Sequence, residues 1–173
     1  MKKIILAFMA LLLSFGILSA QEGSSKATLP NVSVKTLDGK TIKASEFSNE
    51  GKPFVICFWA TWCKPCLMEL NAMAELYDSW QEETGIKIYA VSIDDARTCP
   101  KVKPLVNGSD WDYEVILDQN SELKRALGVN NPPHTFLISE KGEILWQHVG
   151  YAPGDEDNLI KVFKQVLQGE EIK

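Results

Sequence analysis

Four cysteines punctuate the chain, at Cys57, Cys63, Cys66 and Cys99, and one pair is separated by only two residues. Cys63-Lys64-Pro65-Cys66 follows an apolar run, Phe54 to Trp59, rich in strand formers and short enough for a buried strand. A helical pattern begins behind it. At a helix start several backbone N–H groups lack an intrahelical partner, and the helix dipole is positive there. Negative charge on the first sulfur is therefore favoured, its pKa falls, and more of it is thiolate at neutral pH. The second thiol lies one turn further on, close enough to attack a mixed disulfide and release the partner. Pro65 suits the first turn, where its missing N–H costs little. The pattern predicts a dithiol–disulfide exchange centre, with Cys63 as nucleophile and Cys66 as resolving thiol. The opposite assignment would put the attacking sulfur deeper in the helix. Zinc would want a second ligand pair at similar spacing, and Cys57 and Cys99 stand alone.

Neighbouring residues bear on the same chemistry. Glu69 comes three residues after Cys66, one helical turn away on the same side, where a carboxylate could take the proton from the resolving thiol. Lys64 adds positive charge between the sulfurs, which favours thiolate. Of the flanking tryptophans, Trp62 is assigned to an exposed docking surface and Trp59 to the core. Cys57 reads as a small core residue, although a disulfide with Cys99 is conceivable. Asp94, Asp95 and His148 read as structural or solvated.

The elements that must position these residues follow the hydrophobic pattern. Val32 and Val34 alternate with polar residues up to the turn at Asp38-Gly39, and Thr41-Ile42 begins the return of a hairpin. Ser45-Glu46-Phe47 and Asn49-Glu50-Gly51 form a loop into the central strand. The helix behind Cys66 runs to about Glu83, with Leu70, Met73, Ala74 and Tyr77 on one stripe, and Thr84-Gly85 stops it. Lys87 to Ile93 alternates as the next parallel strand, completing a right-handed βαβ unit. A helix broken by Pro100 and Pro104 is expected over Arg97 to Asn107. A short strand follows over Tyr113 to Leu117, and a helix over Ser121 to Leu127. Thr135 to Ile138 and Ile144 to His148 form a second hairpin. The last helix spans Asp155 to Leu167 and buries Leu159, Val162, Phe163 and Val166.

The 173 residues, 45% of them hydrophobic, suit one globular domain. Lys2 and Lys3, the apolar stretch Ile4 to Leu18 and the small-residue ending Leu18-Ser19-Ala20 read as a signal peptide over residues 1–20, cut after Ala20. Residues 21–27 form a flexible lead, and 28–173 the folded domain. An extracytoplasmic, periplasmic-type location follows, where disulfides persist. Without Lys2 and Lys3 the 18 basic residues become 16 against 23 acidic ones, a net charge of −7. That balance argues against nucleic acid or an anionic membrane surface as partner. A monomer is the expectation.

FWATWCKPC resembles the strand–WCxxC–helix signature of the thioredoxin superfamily nearly residue for residue. The N-terminal hairpin and an insertion over Asp94 to Leu127 are similar to the TlpA/ResA-type extracytoplasmic thioredoxins, several of them linked to cytochrome c maturation. The resemblance covers most of the chain beyond the lead, and is strongest at WCKPC, Asn131 to Phe136 and Glu140-Lys141-Gly142. It implies an α/β thioredoxin fold with an N-terminal β-hairpin and a central insertion. It also implies a cis-proline at Pro133, leaving nearby backbone, with Pro132, free to pair with an extended substrate peptide. The functional glutamate of ResA-like proteins maps onto Glu69. Cys57 stands where cytoplasmic thioredoxins carry a buried aspartate, so Glu69 becomes the better proton acceptor. The commonest pattern has threonine after the cis-proline; here it is His134, expected near the sulfurs. His134 reads either as a tuning group or metal ligand, or as a loop histidine outside the chemistry.

The implied function is reduction of disulfides in exported proteins. Cys63, Cys66, Glu69 and Pro133 are catalytic, while Trp62, Lys64, Pro65, Pro132 and His134 contact substrate. No cofactor beyond the Cys63–Cys66 disulfide is required, and a membrane electron donor recharges the dithiol. The rival of the same class is a disulfide oxidant or isomerase. The rival of another class is a copper carrier using Cys63, Cys66 and His134.

Overall fold

The computed structural model describes residues 27–170 and Ile172. The expected signal peptide, its expected cleavage point and the lead up to residue 26 lie outside the described residues. Ala27 and Leu29 are tied into the structure: the Ala27 carbonyl accepts from Ile144 N–H, and Leu29 N–H donates to the Gly142 carbonyl.

The central strand is β3, Phe54–Trp59, six residues all buried. A run apolar on both faces can sit only in the middle of a covered sheet. On one side it pairs in parallel with β4, Ile88–Ser92, which in turn pairs in parallel with β5, Glu114–Leu117. On the other side it pairs antiparallel with β6, His134–Ile138, whose hairpin partner is β7, Ile144–Val149. The N-terminal hairpin, β1 (Ser33–Thr36) and β2 (Thr41–Lys43), closes the sheet against β5, giving the order β2-β1-β5-β4-β3-β6-β7. This is the mixed α/β sheet that the thioredoxin resemblance implies. The segment between Asp94 and Leu127 supplies one of its strands, β5. β4 does not alternate as expected but is buried throughout. Its position between two parallel neighbours explains this, since such strands are covered on both faces.

Among the described residues four α-helices complete the fold: α1 (Lys64–Thr84), α2 (Val102–Asn107), α3 (Glu122–Ala126) and α4 (Asp155–Leu167). Gly85 ends α1 in the left-handed conformation, φ 68°, its N–H returning to the Gln81 carbonyl. α1 buries Cys66, Glu69, Leu70, Met73, Tyr77 and Trp80, so the carboxylate of Glu69 lies within an otherwise apolar stripe. The expected helix over Arg97 to Asn107 is cut to a 3-10 turn, Cys99–Lys101, and the six residues of α2. Pro100 stands in the first turn of that segment, and the Asp95 side chain accepts from Arg97 N–H and Thr98 N–H before it. α4 keeps its expected bounds, but Ile160 is buried in its face while Val166 is only partly covered.

Candidate active site

Cys63 is the N-cap of α1 and Cys66 its third helical residue, and the two are joined by a disulfide. The Cys66 N–H donates to Cys63 Sγ at 3.3 Å. Thus the sulfur expected to attack is the one held by an orphan donor of the helix start. Cys63 keeps a sliver of exposure, 5%, while Cys66 has none, so an incoming sulfur reaches Cys63. Lys64 and Pro65 are exposed between them. Trp62 presents 60% of its surface beside the pair. Trp59 is wholly buried, edge-on to Trp111.

The loop that carries the pair is fastened from below by Asp94, whose expected structural reading holds over the solvated one. Asp94, 1% exposed at the end of β4, accepts from Thr61 N–H at 2.8 Å and from the Thr61 hydroxyl at 2.6 Å. It also accepts from the Ser92 hydroxyl. Hydrogen bonds to a buried carboxylate are among the stronger ones, so this clamp fixes the approach to Cys63. The available signal was its place, just past the carboxyl end of a parallel strand neighbouring β3. Asp95, by contrast, is bonded to Arg97, which holds its carboxyl below the usual range.

The Pro132–Pro133 bond is cis, as the resemblance implies, with Pro133 buried and Pro132 half-buried. The next residue, His134, starts β6 and is not in a loop. The register pairs His134 with Phe58, and Thr135 with Cys57. Directly opposed residues share a face and successive residues alternate. His134 therefore points to one face of the sheet, and Thr135 to the other. The His134 ring stacks on Phe136 at 4.2 Å and bonds Gln147 through Nε2 at 3.0 Å. Burial pushes its pKa down. Strand alternation thus turns His134 from the face that holds Glu69. Among the described residues no three His, Cys, Asp or Glu side chains form a metal-sized group.

On the other face lies the proton chemistry. Thr135 Oγ1 is 2.8 Å from Glu69 Oε1 and 3.5 Å from Cys57 Sγ. Glu69 is 5% exposed, and its second oxygen, Oε2, is buried without a hydrogen-bond partner. Burial raises its pKa to about 7; the Thr135 bond opposes the rise, and Asp155 and Glu156 at the start of α4 add to it. A carboxyl that titrates near neutrality, one turn from the resolving cysteine, can both accept and return a proton. Cys57 is fully buried and its thiol pKa is raised, first by burial and then by Glu69. Cys57 and Cys99 are both free, so the conceivable disulfide between them is not formed. His148, on the Glu69 face, bonds Asp155 of α4 at 3.3 Å.

Residues 26–147 match the AhpC/TSA family. A thiol-disulfide oxidoreductase ResA of Bacillus thuringiensis subsp. konkukian is 36% identical over 121 residues, 70% of this chain and 67% of that protein. Among solved structures, a thioredoxin-like protein of Porphyromonas gingivalis is 45% identical with a TM-score of 0.73, over 83% of this chain and 94% of that one. A putative thiol:disulfide interchange protein DsbE from Chlorobium tepidum is 25% identical with a TM-score of 0.67, over 83% of this chain and 95% of that one. A capped cysteine pair, a buried carboxyl under it and these relatives agree: the chain belongs to the AhpC/TSA family, and within it is a ResA-type thiol-disulfide oxidoreductase.

Proposed function

We propose that the protein works outside the cytoplasm as a monomeric reductant of disulfides in exported proteins, apocytochromes c among them. The observation that carries the direction is Glu69, a buried carboxyl one turn from Cys66. Strong oxidants stabilise their reduced form, above all as thiolate. A buried carboxylate near Cys66 works against a second negative charge there and so favours the disulfide, which makes the dithiol a good electron donor.

In the reducing direction the Cys63 thiolate attacks one sulfur of a substrate disulfide. That bond breaks, a Cys63–substrate disulfide forms, and the other substrate sulfur leaves as thiolate and takes up a proton. Cys66 then passes its proton to the Glu69 carboxylate and attacks Cys63 Sγ. The Cys63–Cys66 bond forms, and the second substrate sulfur departs. Two electrons have moved from enzyme to substrate. Trp62, Lys64 and Pro65 with the backbone around Pro132 and Pro133 receive the substrate chain, and a membrane electron donor restores the dithiol. Lys2, Lys3 and the apolar stretch ending at Ala20 support export by a cleaved signal peptide.

The test is to mix the dithiol protein with a peptide carrying an internal Cys-x-x-Cys disulfide. The reading expects one peptide disulfide lost per protein disulfide formed, and none with Cys63→Ser. A protein whose disulfide form instead oxidises the dithiol peptide, while its dithiol form leaves the disulfide intact, overturns it.

A further inference from the structure

We propose that the Thr135 hydroxyl is the positioning group that prepares Glu69 for proton exchange, holding one carboxyl oxygen and leaving the other free for Cys66. The inference rests on the reading of Glu69 as proton acceptor and adds the group that sets it.

Thr135 is 2% exposed, and its hydroxyl has two neighbours, Glu69 Oε1 at 2.8 Å and Cys57 Sγ at 3.5 Å. A hydroxyl carries one proton and can accept as well as donate. When Glu69 is ionised, Thr135 donates to Oε1 and accepts weakly from the Cys57 thiol. When Glu69 is protonated at Oε1, the carboxyl donates to Thr135, whose own proton turns to Cys57 Sγ. A proton taken up at Oε2 leaves the first arrangement in place. The threonine thus stays bonded in either protonation state, and no water or side-chain movement is needed for the carboxyl to change charge. Burial keeps Cys57 a neutral thiol, able to play both parts.

The other groups facing Glu69 cannot take over. The Tyr113 hydroxyl from the segment before β5 is committed to the Leu70 carbonyl. The Tyr151 hydroxyl, before α4, is committed to Glu156. Asp155 and Glu156 on α4 oppose the ionised carboxylate, as would an ionised Cys57 on β3; His148 of β7, on the same face, is engaged with Asp155, and the Thr135 bond is the contact to Glu69 that favours the charge. Oε2, buried and unpaired, is left as the acceptor for the Cys66 proton.

The experiment titrates the Glu69 carboxyl by isotope-edited infrared spectroscopy in the wild-type protein, Thr135→Val and Thr135→Ser, with Thr135→Ala as a second hydroxyl-free variant. The rate at which Cys66 resolves a mixed disulfide is followed against pH in the same proteins and in Glu69→Gln. Losing a hydrogen bond to a charged group moves the titration upward by about one pH unit or more. Thr135→Val and Thr135→Ala should therefore titrate about one unit higher and resolve about fivefold more slowly at neutral pH, while Thr135→Ser restores both. Hydroxyl-free variants that titrate with the wild type overturn the proposal. A Glu69→Gln protein that keeps the wild-type rate profile removes Glu69 from the mechanism instead, a separate failure that the infrared titration distinguishes.

Discussion

Replacing Glu69 by glutamine should change how the stability of the oxidised protein depends on pH. In the folded chain the carboxyl titrates near 7 against an ordinary value of 4.5, with burial as the main cause. Its folded pKa is raised, so the native state holds the proton more tightly than the unfolded chain does. The resulting stability is fully present below about pH 4.5 and is lost as pH rises through about 7. Each pH unit between the two values is worth about 1.4 kcal/mol, so the loss approaches about 3 kcal/mol. Glutamine keeps the shape and an oxygen for Thr135 but does not titrate. Denaturant unfolding of both proteins at about pH 4 and about pH 8.5 isolates the effect, because other titrating groups are common to both. The wild type should lose about 3 kcal/mol more than the variant between these conditions. An offset at low pH, from the unpaired amide in place of Oε2, does not affect the comparison. If the two proteins lose stability in parallel, Glu69 is not the neutral-range carboxyl described here.

Cys66→Ser should accumulate a mixed disulfide between Cys63 and its substrate, visible as a reductant-sensitive adduct, and Cys63→Ser should form none. Trp62→Ala, at an exposed position, should leave stability within about 0.5 kcal/mol while lowering kcat/KM for peptide disulfides roughly tenfold. Asp94→Ala strips the Thr61 loop of its acceptor and should cost about 3 kcal/mol in denaturant unfolding together with slower reduction; an undiminished stability would contradict the clamp. His134→Ala loses the Phe136 stack and the Gln147 bond, for about 2 kcal/mol of stability. It should leave the Cys63–Cys66 potential within about 15 mV of the wild type, because the ring faces away from Glu69.

Much of the fold is legible because the signals are local. A six-residue apolar run, a capped helix start and a glycine stop place β3 and α1 with the cysteines at their junction. Trp62 and Trp59 sort correctly into surface and core from their places on either side of that junction. What escapes the sequence depends on pairing across the sheet. Which face of the sheet His134 occupies is decided by its register with Phe58, one residue from the position that faces Glu69. Thr135 and Asp94 gain their meaning from partners 66 and 33 residues away, Glu69 and Thr61. Asp94 reads only as structural or solvated, with no partner named, until β4 is known to lie beside β3. The burial of β4 on both faces is hidden likewise, since Lys87 and Tyr89 alternating with Ile88 and Ala90 mimic a half-exposed strand.

The central claim, that electrons leave this protein for its substrates, is tested most directly by the reduction potential of the Cys63–Cys66 couple, measured by equilibration with glutathione or dithiothreitol. The buried carboxyl beside Cys66 predicts a reducing couple, near the value of about −270 mV typical of thioredoxin. A potential near about −120 mV, that of a strong oxidant with a stabilised dithiol, would contradict it.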